Sequence, residues 1–272
     1  MIKENLVLFR NAQWRVFIVF LLVMGSICCP QGTHSQTLPK KKVLVLTERG
    51  GQHEGFVVAA MQWLDSVALV QGFELTTINR PDSITEAYLA DYDVFLQLNF
   101  PPYTWPKEAE QAFERYVEDG VGGWIGFHHA SLLGEFDGYP LWQWFSDFLG
   151  GIRFKNYIAP LARGTVHLED QSHPVMQGVS SPFDLPNEEW YTFNRSPRQR
   201  VRVLATVDEK SYAPPSEITM GDHPVIWSNE RMKARNVYFL MGHHRSLFQS
   251  KAFTRMFENA LLWASSQKEN SH

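Results

Sequence analysis

The chain has 272 residues, 44% of them apolar and 20% charged, enough to bury a sizeable core and far from the composition of a disordered protein. A formal charge of −4 offers no basic surface to a phosphate backbone, which argues against nucleic acid as a partner. Nine tryptophans and nine tyrosines are many for this length; such rings pack cores and also stack on sugars, so the composition leans toward a carbohydrate ligand.

Near the amino terminus, Lys3, Arg10 and Arg15 precede the apolar run VFIVFLLVM, which is too short to span a bilayer. This pattern predicts a signal peptide over residues 1–35, cut after Ser35, and hence an exported, periplasmic protein. The lesser alternative is a lipoprotein anchored through Cys28 or Cys29, but Ile27 and Cys28 then stand where a lipobox prefers a small residue. Both cysteines leave with this segment, so the mature chain has no disulfide and no cysteine nucleophile. Its charge falls from −4 to −6, because Lys3, Arg10 and Arg15 depart with only Glu4. No stable membrane span is expected after removal of the signal. Residues 36–41 read as a linker, 42–267 as one domain, and 268–272 as a disordered tail.

In the domain, Val43 to Leu46 is an uninterrupted apolar run, as in a central parallel strand buried on both faces. Val57, Ala60, Met61, Leu64, Val67 and Ala68 then form a helical stripe that stops at Gly72. FELTTINR predicts a second strand, SITEAYLADY a short helix and DVFLQLNF a third strand. The segment TWPKEAEQAFERYVEDG predicts a helix with Pro106 and acidic residues near its start and Ala109, Phe113, Tyr116 and Val117 on one face. GWIGF follows as a fourth strand. GTVHLED, VRVLATV, HPVIWSNE and RNVYFLMGHH read as further strands, some pairing antiparallel at one edge, and KAFTRMFENALLWASS closes the chain as an amphipathic helix. The alternation predicts an α/β fold of three αβα layers around a mostly parallel, flavodoxin-like central sheet.

Ligands of such sheets bind beyond the carboxyl ends of the strands, near the point where strand order reverses. Those ends lead into ERGGQHE with His53, into His128 and His129, and into GHHR with His243 and His244. A lone histidine is commonly structural, but histidines on three separate loops at one sheet edge make a candidate site. Because neighbours on an extended chain point to opposite faces, one member of each pair is expected in the site and the other packed. In DLPNEEWYTF, Glu188 and Glu189 adjoin Trp190 and Tyr191; poor solvation there would raise a carboxyl pKa and suit acid/base work, while a solvated acidic pair beside core rings fits the pattern equally well. His173 and His223, each in an HPV segment, mark turns before strands, and His167 is structural. GVGGWIG fits neither the Walker pattern nor the dinucleotide fingerprint.

GGQHEGF after the first strand, GGWIGFHHAS, HPVM followed by NEEWYTF, and HPVIWSNE followed by RNVYFLMGHH occur in the order and spacing of a known family. From Lys42 to Trp263 the chain resembles the ThuA-like proteins, named for bacterial trehalose utilisation, whose fold is that of the class I glutamine amidotransferases. The resemblance places the family's glycine-rich turn on Gly126, His128 and Ala130, its acidic-aromatic motif on Glu189 and Tyr191, its terminal motif on Gly242 and His243, and its first-loop histidine on His53. It favours His128 over His129, where the family usually has a small residue. The amidotransferase cysteine is absent, so glutamine hydrolysis is out of reach. The resemblance implies work on disaccharides or on oxidised, 3-keto sugars.

The leading expectation is therefore a sugar-processing isomerase, epimerase, lyase or hydrolase. Its catalytic residues are His128, Glu189 and His243, and its sugar is held by His53, Arg49, Tyr191 and Trp227. Imidazoles with a carboxylate also suit a divalent, zinc-like metal, although no helical H-x-x-x-H spacing is present. The alternatives are a non-catalytic sugar-binding or scaffold protein on an amidotransferase-like shell, and a hydrolase using Ser131, whose HHASL context lacks the G-x-S-x-G elbow.

Overall fold

The computed structural model describes residues 40–158 and 161–266. The expected signal peptide and carboxyl-terminal tail lie outside the described residues. Of the expected linker only Lys40 and Lys41 are described, and Lys41 already opens the first strand. No helix among the described residues is long and apolar enough to cross a membrane.

Strand β1 (Lys41–Thr47) carries the run Val43 to Leu46, each residue wholly buried, as a strand covered on both faces requires. It is flanked in parallel by β2 (Phe73–Ile78) and β3 (Val94–Leu98). Helix α1 (Glu54–Gln71) joins β1 to β2 and ends at Gly72, whose φ of 75° lets its N–H turn back to the Ala68 carbonyl at 2.9 Å. Thr85 caps the short α2 (Glu86–Ala90) by accepting the Tyr88 N–H at 3.1 Å. Helix α3 (Lys107–Glu118) then leads to β4 (Gly123–Phe127), parallel to β3.

Beyond β4 the sheet continues with β11 (Asn236–Phe239), still parallel, and then with β10 (Pro224–Ser228), β9 (Arg202–Ala213), β6 (Ala162–Leu168) and β7 (Phe183–Glu188), each antiparallel to its neighbour. The antiparallel edge anticipated from the second half of the chain is thus built, in a nine-stranded sheet ordered β2-β1-β3-β4-β11-β10-β9-β6-β7.

The alternation of β4 shows the three layers. Trp124 meets Phe113 of α3 and Phe145 and Phe148 of α4 (Gln143–Phe148), whereas Phe127 meets Phe56 of α1 and Phe253 and Phe257 of α5 (Lys251–Ser265).

Four elements were not anticipated: α4, the edge strand β7, and the strands β5 (Phe154–Tyr157) and β8 (Tyr191–Phe193), which pair as a separate ribbon. The HPV segments also diverge. His223 precedes β10 as expected, but His173 starts no strand; its Nδ1 accepts the Val175 N–H at 3.2 Å and caps the 3-10 turn Pro174–Met176.

Candidate active site

Because β1 lies between β2 and β3, the chain leaves β1 toward one side and returns to the other, so the loops after β1 and β3 part and open a crevice at the carboxyl edge. His53 immediately precedes α1 in the loop after β1, His128 follows β4, His243 follows β11, and Glu189 stands between β7 and β8. These four meet. His128 Nε2 lies 3.2 Å from Glu189 Oε2, His243 Nδ1 lies 3.2 Å from the same oxygen, and His53 Nε2 lies 2.9 Å from His243 Nδ1.

His128 stands where the fold would carry a nucleophile, and its φ of 42° is in the left-handed region that non-glycine residues rarely occupy. The chain turns there at once into the 3-10 turn His128–Ser131, so the alternation of an extended strand is lost. His128 and His129 consequently reach the site together, their rings 5.5 Å apart and nearly parallel. The expectation of a packed His129 is therefore corrected: His128 is the wholly buried member, and His129 lines the cavity. The other pair divides as expected, with His243 in the cluster and His244 capping the 3-10 turn Arg245–Gln249.

Close approach of two loops makes this possible. A Cβ on Gly242 would fall 2.7 Å from the Cβ of His128 and 3.0 Å from Asn99 Oδ1. With glycine there, Asn99 Nδ2 donates to the Gly242 carbonyl at 2.6 Å. Glu188 fixes the same loop, its Oε1 accepting the N–H groups of His243 at 2.9 Å, Glu189 at 3.2 Å and Gly242 at 3.3 Å. Burial pushes the Glu188 carboxyl up to about 8 against the pull of those backbone donors.

Glu189 behaves in the opposite way. Burial works against its charge, but the contacts from His128 and His243 outweigh it and hold the carboxyl well below the usual range. Of the acidic pair, the carboxyl raised by poor solvation is thus Glu188, and Glu189 is the anion. Glu48, after β1, went unassigned in the sequence; its Oε2 lies 3.3 Å from His53 Nδ1 and 3.2 Å from His129 Nδ1. Burial opposes ionisation there too, yet His129 and His53 bring its pKa down to about 2.

The protons in this cluster can be followed atom by atom. His128 Nδ1 faces the Leu240 carbonyl at 2.8 Å, and a carbonyl only accepts, so Nδ1 carries the hydrogen. Burial lowers the His128 pKa to about 3, overriding the opposing hydrogen bond to Glu189, and keeps the ring neutral. Nε2 faces the Glu189 carboxylate and is the nitrogen left for an inward ion. His53 Nδ1 lies 3.3 Å from Glu48 Oε2, and its Nε2 faces inward toward His243. The inward donor atoms of His53, His128, Glu189 and His243 all lie within 4.8 Å of one another. Four ligands on a tetrahedral zinc-sized ion at about 2.0–2.2 Å stand about 3.3–3.5 Å apart. His53–His243, His128–Glu189, His243–Glu189 and His53–Glu189 are separated by 2.9, 3.2, 3.2 and 4.0 Å, and all four atoms lie within 4.8 Å of one another, a spread that small shifts would bring onto such an ion.

A cavity of about 290 Å³ opens from this floor. Its lining includes His53, Glu189, Glu48 and His129 together with the rings of Phe136, Phe154, Tyr157 and Tyr191. Tyr191 stacks on His128 with centroids 4.1 Å apart, and burial keeps its phenol neutral. Among the remaining sequence candidates, Arg49 is exposed against the Asn79 side chain, and Trp227 is buried in β10 against Tyr238 and Phe193. Neither lines the cavity. The Ser131 hydroxyl is buried too, 2.6 Å from the Tyr238 hydroxyl and donating to the His128 carbonyl at 3.0 Å, and so is not presented as a nucleophile. Phe136, Phe154 and Tyr157 were missed because the ribbon and the turn that carry them have no periodic signal.

A sequence model of the ThuA family, described as trehalose utilisation, matches residues 42–264. The chain belongs to the ThuA family. This gives the protein a carbohydrate-related role. Among solved structures, a ThuA-like protein from Bacteroides uniformis is 29% identical, covers 86% of this chain and 94% of its own, and superposes with a TM-score of 0.74. A ThuA-like protein from Parabacteroides merdae is 16% identical, with 84% and 90% covered and a TM-score of 0.60. A cytoplasmic protein from Salmonella typhimurium shares the fold at 12% identity, with 82% and 98% covered and a TM-score of 0.56. No curated protein matches. The ThuA match spans every element that supplies the donor cluster, from β1 to α5.

Proposed function

We propose that this ThuA-family protein is an exported, periplasmic enzyme acting on disaccharides or their keto derivatives, with a divalent, zinc-class ion held by His53, His128, His243 and Glu189. The observation that carries this reading is the convergence of four donor atoms from four separate chain segments, with two of the four residues, His53 and Glu189, lining a cavity rich in aromatic rings. The family's association with trehalose supports the substrate class, and the amino-terminal charge and apolar run support export.

When bound, such an ion supplies a Lewis acid for a carbonyl or hydroxyl oxygen of the sugar. The chain's own residues do the rest. His128, with no exposed surface and both ring nitrogens engaged, serves as a ligand rather than as a proton carrier. Glu189 stays an anionic ligand, and His129, which also lines the cavity, is placed to move a proton at a carbon or oxygen beside a keto-sugar carbonyl. Isomerisation, epimerisation and elimination all begin with that step. Tyr191 closes the inner wall and keeps water from the buried face of His128.

The test joins elemental analysis of protein purified without chelator to product analysis with keto-disaccharides. About one equivalent of metal is expected, with turnover that His128→Ala and Glu189→Ala abolish while the fold is kept. Turnover unchanged in both variants defeats the enzyme reading. Binding of sugar without conversion in the wild type supports instead a non-catalytic sugar-binding protein.

A further inference from the structure

Among the described residues large apolar side chains are mostly buried, yet Phe136 is 54% and Tyr157 38% exposed, and both line the same cavity. One exposed ring means little on a protein surface. Here the two belong to a continuous series. Phe136, in the 3-10 turn Gly134–Asp137, meets Phe154 edge-on at 4.7 Å, Phe154 meets Tyr191 edge-on at 4.8 Å, and Tyr191 stacks on His128 at the floor. The β5–β8 ribbon sets Tyr157 directly opposite Tyr191, so an aromatic wall runs from the donor cluster out to solvent.

The charges at the opening narrow the ligand further. Among the described residues that line the cavity, Glu48 and Glu189 are carboxylates and none is lysine or arginine. A phosphate or carboxylate beside the rings, away from the donor cluster, would meet the Glu48 carboxylate and no cationic side chain. A hydroxyl-rich ligand with one apolar face would find both hydrogen-bond acceptors and aromatic rings in this lining.

We propose that the rim is a platform for the remote ring of an unphosphorylated glycoside, with Phe136 and Tyr157 as its specificity-determining residues and the reacting ring on the donor floor. This rests on the reading of the site as a carbohydrate site. It adds that the substrate is a neutral glycoside of at least two rings, not a free hexose and not a sugar phosphate.

Calorimetry on the full mature chain tests it with trehalose, trehalose 6-phosphate and glucose as probes, on the wild type, Phe136→Ala, Tyr157→Ala and the double variant. Trehalose should bind the wild type about tenfold or more tightly than glucose or the 6-phosphate. The double variant should lose about ten- to a hundredfold in trehalose affinity, bringing the disaccharide-to-hexose ratio toward one, with metal content and melting temperature retained. The single variants give the same reading if the double variant folds poorly. Undiminished trehalose binding in folded variants, or a 6-phosphate bound as tightly as trehalose, overturns the platform and leaves the carbohydrate site standing. A wild type that binds none of the three at millimolar concentration overturns the carbohydrate reading itself, and the platform with it.

Discussion

The Nδ1–H of His128 donates to the carbonyl oxygen of Leu240 at 2.8 Å, which fixes the ring so that Nε2 faces Glu189 across 3.2 Å. An outward hydrogen bond of this kind orients an imidazole for an inward cation. Replacing the ring removes a donor from the floor and leaves the backbone in place. His128→Ala is expected to lower turnover by about 10²-fold or more and to lose its metal on purification. Circular dichroism checks the fold, and retention of a full equivalent of metal counts against the assignment.

Metal removal should be visible in stability as well as in rate. An ion bound at 100 to 1,000 times its dissociation constant stabilises the native state by about 3–4 kcal/mol. Chelation should therefore lower the melting temperature by about 5–15 °C for a domain of this size, and zinc should restore it. A melting curve indifferent to chelator and to added zinc contradicts the site.

Glu188 gives a pH signature. Its folded pKa is pushed up to about 8 by burial, above the ordinary carboxylate value, so the folded state binds a proton that the unfolded chain releases. The contribution of this group to stability is complete below the unfolded pKa and is lost as pH rises toward 8. Each pH unit in that window costs up to about 1.4 kcal/mol. Glu188→Gln keeps an acceptor for the Gly242 and His243 N–H groups without the charge, so its urea midpoint should be flatter than that of the wild type between pH 5 and 8. Parallel pH profiles for the two proteins would refute the buried, protonated carboxyl. Glu188→Ala, which strands those donors, should cost about 1–3 kcal/mol below pH 5, the difference from wild type narrowing as pH rises toward 8.

Gly242→Ala tests the close approach of the loops after β4 and β11. The new Cβ would stand 2.7 Å from that of His128, and relief requires the two loops to separate. Overpacking of this kind costs about 1–3 kcal/mol. Metal affinity should fall with it, because His243 is the next residue, and unchanged affinity would show that the loops are not held in register by this contact.

Ser131→Ala separates a tethering hydroxyl from a reactive one. With its oxygen between Tyr238 and the His128 carbonyl, Ser131 should contribute about 1 kcal/mol of stability, and its loss should change turnover by less than tenfold. A collapse in rate with the fold intact would reinstate it as a nucleophile.

Much of this was legible before any coordinates. The run Val43 to Leu46 and the stripe from Val57 to Ala68 have strong periods, and such segments fix the strand–helix alternation and hence the edge where His53, His128 and His243 gather. The fate of His129 was not legible. Period-two reasoning assumes an extended backbone, and the positive φ of His128 ends it one residue too soon. Glu48 and Leu240 escaped notice because their part is played through a carboxylate oxygen and a main-chain carbonyl that only the fold brings near an imidazole. Trp227 misled for a simpler reason, since an indole next to a strand end looks the same in sequence whether it faces a ligand or the core. The ribbon was invisible because FKNY and YTF are too short to carry a pattern.

That ribbon shares no ladder with the nine-stranded sheet. Residues such as Tyr157 on β5 can therefore be exchanged over evolutionary time without disturbing the pairings that gather the histidines. A lineage built on this scaffold can change its diet at the rim while inheriting its chemistry unaltered, and homologues should diverge fastest along β5 and the turn that bears Phe136.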